Sequence, residues 1–203
     1  MPNFSYKSDL AGGSLMVRES RIIAGLLLDK ATSEQWNQAI CVENCLQKRS
    51  PASAKRNAQA INKRLVQLEP EFWRALRDGD EELATQITFC GALERNLLLV
   101  EFMEGLVRDA YITHTEQLEV FQWMSFLDDS SRRDPKILDW KESSKKKMGQ
   151  VVFRMLAEVG YLKSTRSLKL QNVLIRPEIK VMLDDSYRQR IRKCMEVSYK
   201  GSS

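Results

Sequence analysis

A chain of 203 residues with 43% hydrophobic and 29% charged residues has the apolar content for a real core, in one large or two small domains. Its formal charge is +5. No apolar run approaches membrane-spanning length, and the N-terminal stretch lacks a basic segment followed by an apolar core, so neither a membrane span nor a secretory signal is expected.

In chain order, Met1–Asp9 reads as a polar extended stretch ended by Gly12-Gly13. Ser14 is placed to cap a helix that turns Met16, Ile22, Ile23, Leu26 and Leu27 inward. Thr32 and Gln35 have the spacing of a capping box, opening a helix with Trp36, Ile40 and Cys41. Ser50-Pro51 predicts an N-cap followed by proline at the first helical position, with Ala54, Ala58, Ile61, Leu65 and Leu68 as the buried stripe. Pro70 restarts a short helix with Phe72, Trp73 and Leu76, stopped by Gly79, and Asp80 caps the next, through Leu83, Ile87 and Cys90. The segment 92–110 reads as one long helix, apolar nearly all round, at the centre of a bundle. Thr113 and Glu116 have the spacing of a second capping box, before a helix holding Leu118, Phe121, Trp123, Phe126 and Leu127. Asp128–Asp134 reads as a charged loop and Pro135–Trp140 as a short helix or turn.

The segment 140–175 then has the order of a winged helix: a capped helix from Ser143 to Val159, a stop at Gly160 and a hairpin through Ile175. The chain closes with Pro177–Leu183 and a basic helix containing Arg188, Arg190, Arg192 and Lys193. The expected architecture is mainly α: a helical bundle over residues 1–112, then a winged-helix-like domain over 113–203 with one small β-hairpin.

Charge is unevenly spread. Residues 140–203 hold 15 Lys and Arg against 6 Asp and Glu, a net of +9; the other 17 against 21 leave a net of −4. A local basic footprint of this kind points to nucleic acid. Lys145, Lys146 and Lys147 read as first-turn residues of the Ser143 helix, where the helix dipole disfavours cations unless a phosphate lies there. At about 100° per residue, Met148, Val151, Val152, Met155, Leu156 and Val159 share one face. Lys146, Lys147, Gln150, Phe153, Arg154 and Ala157 share the other. Arg and Lys suit guanine edges and Gln suits adenine, so Gln150 and Arg154 are candidates for base contact. Lys163, Arg166 and Lys169 in the hairpin are candidates for phosphate contact. Lys48, Arg49, Lys55, Arg56, Lys63 and Arg64 form a second candidate nucleic-acid patch. An ordinary solvated face is the plain alternative for both.

Enzyme chemistry has little support in the pattern. His114 is the one histidine and has no nucleophile motif beside it. Gly12-Gly13 is too short for a phosphate loop, and Glu178-Ile-Lys180 resembles a nuclease ending but follows a helix-opening proline. Cys41 and Cys45 share a helix face without the further ligands that zinc needs, so free thiols in a reducing cytoplasm are expected. The expectation is a protein with no catalytic residues, no metal and no cofactor, and the tryptophans read as core.

The ordered set Leu10-Ala-Gly-Gly-Ser-Leu15, Glu19-Ser20 with Ile22, Trp36, Asn44-Cys-Leu-Gln47, Ile61-Asn-Lys-Arg-Leu65, Leu97-Leu98 with Glu101-Phe102, Trp140 ahead of Ser143, and Leu156-Ala-Glu-Val-Gly-Tyr-Leu162 resembles the BrxA family of bacterial BREX phage-defence systems. The resemblance runs over nearly the whole chain. It implies a small, cytoplasmic, mainly helical, non-enzymatic component that binds DNA and acts beside other BREX proteins, including a methyltransferase, an ATPase and a phosphatase-like protein. It carries over no DNA-contacting residues; those named above come from the helical projection. The expected partner is duplex DNA, bound by a monomer mainly through phosphates. The alternatives are an RNA-binding, antitermination-like module using the second patch, and a protein–protein scaffold.

Overall fold

A computed structural model of the chain describes residues 5–198; residues 1–4 of the expected N-terminal stretch lie outside them. Its helices are α1 (Val17–Leu28), α2 (Ser33–Asn37), α3 (Pro51–Leu65), α4 (Pro70–Asp78), α5 (Glu81–Arg95), α6 (Leu97–Phe102), α7 (Arg108–Ile112), α8 (Val120–Ser131), α9 (Glu142–Val159), α10 (Pro177–Asp185) and α11 (Gln189–Met195). Single π turns carry α2 on through Gln38–Val42 and link α6 to α7 through Met103–Val107.

Several helix ends sit where local hydrogen bonding puts them. The Thr32 side chain accepts from Gln35 N–H at 3.3 Å while the Gln35 side chain accepts from Thr32 N–H at 2.7 Å, so two otherwise orphaned donors are satisfied. Ser50 accepts from Ser53 N–H ahead of Pro51. Asp80 accepts from Leu83 N–H. Gly160 closes α9 in the left-handed conformation, φ 102°, that favours glycine.

Other ends differ from the expectation. α1 begins after Met16, itself left-handed, not after a Ser14 cap. Thr113 and Glu116 form no capping box; α8 starts later, on a box made by Glu119 and Gln122. The expected loop at Asp128–Asp134 is mostly the last turn of α8, and Asp134 caps the 3-10 turn Pro135–Asp139. The long helix expected over 92–110 breaks at Asn96, whose Oδ1 accepts from Leu99 N–H while its Nδ2 donates to the Lys7 carbonyl and to Asp9.

The chain forms two compact units, each discontinuous in sequence. One comprises 15–95 and 176–187. In it α1 packs on α3, α4 and α5 around Ile23, Ala24, Ile61, Leu65, Phe72, Leu76 and Ile87, all at most 1% exposed. Arg176 ties the returning segment in, its guanidinium to Asp80 and Glu178 and its N–H to the Gln86 side chain.

Among the described residues the other unit comprises 5–14, 96–175 and 188–198; the division expected at 112/113 falls inside it. Its centre is aromatic: the Phe102 ring meets Trp123 and Phe126 edge-on at 5.3 Å and Phe153 at 6.2 Å. Asp134, though buried, keeps a lowered pKa: burial pushes it up, but donors from Tyr6 N–H, Ser5 and Lys136 N–H outweigh that and pin the N-terminal segment.

The winged helix with a β-hairpin is corrected. The chain does reverse after Gly160, with Lys163 N–H donating to the Lys169 carbonyl and Gln171 N–H to Tyr161. Pairing stops at single bridges, Leu162 with Leu170 and Gln117 with Lys169, and no strand forms among the described residues. The tip between the paired residues is filled with Ser164, Thr165, Arg166 and Ser167, which lack the alternating apolar pattern that holds a ladder in register.

Candidate nucleic-acid interface

α9 is the scaffold of the predicted basic face. Its buried stripe is as projected: Met148, Val151, Val152, Met155 and Leu156 are buried, and Val159 is partly so. The helix begins at Glu142, after Lys141, so an acid occupies the first turn and the three lysines start at its fourth residue. That weakens the argument from the dipole, because the first-turn charge is the favourable one.

The three lysines do not act alike. Lys145 is buried, and its Nζ donates to Glu142 at 3.0 Å. Its carbonyl accepts from the Trp123 indole N–H at 2.9 Å. It is a structural residue, which corrects its assignment to the interface. Lys146 and Lys147 are exposed, as are Gln150 and Arg154. Phe153 leaves the outer face: at 5% exposure it packs on Phe102.

Lys163, Arg166 and Lys169 are exposed on the reversal that follows α9. With Lys146, Lys147 and Arg154 they make six cations with no ion-pair partner among the described residues. Elsewhere in this unit some arginines are neutralised, while Arg108, Lys136, Lys141 and Lys193 are exposed and, like the six, show no ion pair among the described residues. Arg133 forks onto Glu101 at 3.0 and 2.6 Å, and Arg190 onto Glu104 at 2.8 and 2.6 Å. Cations left without carboxylates keep their charge for an anion from outside the chain.

The second patch is smaller than its six residues. Lys48 pairs with Glu19 at 2.7 Å. Burial pushes the Glu19 carboxyl up, but the Lys48 bond and charge more than reverse this and hold it low. Arg64 is buried. Arg49, Lys55, Arg56 and Lys63 remain exposed on or beside α3. Lys55 edges a groove of about 520 Å³ whose wall includes Trp36, Gln59 and Asn62, and the Asn62 Oδ1 there has no hydrogen-bond partner.

His114 is exposed in the turn after α7 with φ 55°. Glu178 lies in the first turn of α10, bonded to Arg176, so it is on a helix and not on the strand a nuclease site needs. All four cysteines are free. Burial pushes the Cys194 thiol up to about 12, which keeps it protonated at neutral pH. Among the described residues no three of His, Cys, Asp and Glu converge as metal ligands, and no helix is long and apolar enough to cross a membrane.

Sequence reasoning missed the exposed Val120 and Phe121 at the start of α8, 69% and 65% exposed. Phe121 reads as part of the apolar set of that helix, but at about 100° per residue it lies roughly opposite the buried Trp123, Leu127 and Ser130, so the period of α8 itself turns it to solvent.

The fold and surface define a mainly helical, two-unit protein carrying an unneutralised basic face. The chain belongs to the BrxA family, whose model matches residues 5–186. It is 39% identical over 193 residues to a protein of Paramagnetospirillum magneticum named BREX protein BrxA, covering 95% of this chain and 97% of that one. It is 34% identical to the BREX protein BrxA of Escherichia coli O9:H4, over 93% of this chain and 88% of that one. A crystal structure of an uncharacterized protein from Magnetospirillum magneticum, 38% identical, superposes with a TM-score of 0.87 over 95% of this chain and 99% of that one.

Proposed function

We propose that this protein is a non-enzymatic, duplex-DNA-binding component of a BREX phage-defence system, working in the cytoplasm beside other proteins of that system. The relatives named BREX protein BrxA support the place in BREX. The observation that carries DNA binding is the set of six exposed, unpaired cations on α9 and the reversal after it, in a C-terminal third of net charge +9. Lys146, Lys147, Lys163, Arg166 and Lys169 neutralise phosphates, and Gln150 and Arg154 face base edges. Phosphate contact therefore dominates, and sequence selectivity is low.

A mobility-shift titration against duplex DNA at two or more salt concentrations tests this. Neutralising about five phosphates gives a log–log salt slope of about −4 to −5, and each of Lys163→Ala, Arg166→Ala and Lys169→Ala flattens it by about one. Lys146→Glu with Lys147→Glu removes most of the affinity. A flat salt response sinks the reading. RNA binding through α3 is a second reading, favoured by the exposed Arg49, Lys55, Arg56 and Lys63 beside the Trp36 groove; single-stranded RNA outcompeting duplex DNA would select it.

A further inference from the structure

The outer face of α9 is not a flat recognition surface. Together with the start of α8 and the tip of the reversal it walls a groove of about 760 Å³, within the range of about 300–1,000 Å³ of sites that enclose small ligands. Its apolar lining includes Phe121 and Trp123, and its polar lining includes Lys146, Gln150, Arg154 and Thr165.

The two tryptophan and phenylalanine rings differ in role. Trp123 is 1% exposed and held by its bond to the Lys145 carbonyl, so it is a fixed wall. Phe121 is 65% exposed. A lone exposed aromatic is ordinary. An exposed aromatic at the edge of an apolar groove, with two unneutralised cations on the same wall, is a specific combination. Lys146, Gln150 and Arg154 recur every four residues along α9, so the two cations are separated by about 12 Å along the axis with the amide between them.

We propose that this groove takes one unpaired or extruded nucleobase of a bound DNA strand, with Phe121 as its stacking surface. The inference rests on the DNA-binding reading above. A base has an apolar face, a hydrogen-bonding edge and phosphates on either side. Phe121 answers the face, Gln150, Thr165 and Arg154 the edge, and Lys146 a flanking phosphate. A base paired within a duplex cannot offer its face, because its neighbours cover it, so the aromatic is of use only to a nucleotide turned out of the stack. An uncharged apolar peptide would cover Phe121 but leave Lys146 without an anion and Arg154 without an acceptor while removing them from water, which is unfavourable. Glu119, the carboxylate on the rim, makes no ion pair with Lys146 or Arg154; its side chain accepts from the Gln117 amide and takes part in the capping box of α8.

The test uses the full chain and three labelled DNAs of one sequence: fully paired, with a single bulged adenine, and with an abasic bulge at the same place. The abasic bulge bends as easily but has no base to stack. The wild type is expected to bind the bulged adenine about tenfold more tightly than the abasic bulge, within the range of one base–aromatic stack. Phe121→Ala should bring the two within twofold and leave paired-duplex affinity unchanged, and Phe121→Trp should keep the preference. Equal wild-type binding to the two bulges, or a preference that survives Phe121→Ala, overturns the base site. If salt-sensitive binding to all three persists in that case, the DNA-binding reading stands without it. No salt-sensitive binding to any of them removes both. Loss of self-association in sedimentation by Phe121→Ala, with all three DNA affinities unchanged, makes the groove a contact between copies and also overturns the base site.

Discussion

Lys145 and Lys146 are adjacent in the chain, yet the first has a side chain 7% exposed against Glu142 and the second is in solvent. Lys145→Glu puts a second carboxylate three residues from Glu142 and takes the cation out of a buried position. It should lower stability by about 1 kcal/mol or more. The loss stays below the 3–5 kcal/mol of a pair buried on both sides, because Glu142 is 65% exposed. Lys146→Glu with Lys147→Glu should melt within about 0.5 kcal/mol of wild type. Thermal melting of the two variants separates them, and equal melting would show that Lys145 is not structural. Gly149 poses a packing question. A Cβ there would lie 2.5 Å from Trp123 Cδ1 and 2.8 Å from Cγ, against a ring fixed by its indole bond. Gly149→Ala gains helix propensity of about 1 kcal/mol, but crowding a packed ring costs about 1–3 kcal/mol. A lower melting temperature is expected, and a raised one would mean that α8 can shift away.

At the scale of elements, α11 shows how a late helix is held to a much earlier one. Arg190 forks onto Glu104, Cys194 Sγ lies 3.8 Å from the Val100 carbonyl, and the Tyr161 hydroxyl donates to Met195 at 2.5 Å. The Arg190 bond, followed by the opposing effect of burial, leaves the Glu104 carboxyl below its usual range. A carboxylate lowered in the folded state contributes stability above its unfolded value of about 4.3 and loses it as the pH falls through the folded value. Glu104→Gln should therefore melt below wild type at pH 7, and the gap should close between about pH 4.3 and the lower folded value. Because the Arg190 side chain is 54% exposed, the shift should be small, no more than about 1 kcal/mol. A gap that stays constant down to acid pH would assign the loss to packing and not to the ion pair.

Across the whole molecule, discontinuity governs what can be cut. Residues 96–112 have their aromatic partners at 123, 126 and 153, in the same unit. A fragment ending at 112 leaves Leu98, Leu99, Phe102 and Val107, all buried in the full chain, without those partners. Because 15–95 keep most of their own unit, the loss should fall on 96–112, whose amides should exchange rapidly in the fragment. Slow exchange over 96–112 in the fragment would support a domain boundary at 112. Surface variants on α9 are for the same reason the sounder probe of the DNA interface.

Local chemistry was legible in the sequence wherever a few neighbouring residues settle it. The Thr32–Gln35 box, the Ser50-Pro51 start, the Gly160 stop and the buried stripe of α9 all depend on bonds or periods within one or two turns. The same holds for the outward placement of Lys146, Lys147, Gln150 and Arg154, and the ordered motifs already carried the resemblance to the BrxA family. Tertiary structure decided what depends on residues far apart. Trp123 and Glu142 take Lys145 out of the basic face, and Phe102 takes Phe153. Lys7 and Asp9 share Asn96 with the N–H of Leu99, where apolar periodicity alone runs a single helix through. The segments 176–187 and 188–198 join different units, because their contacts lie some 90 residues back along the chain, a distance over which no local pattern chooses a partner.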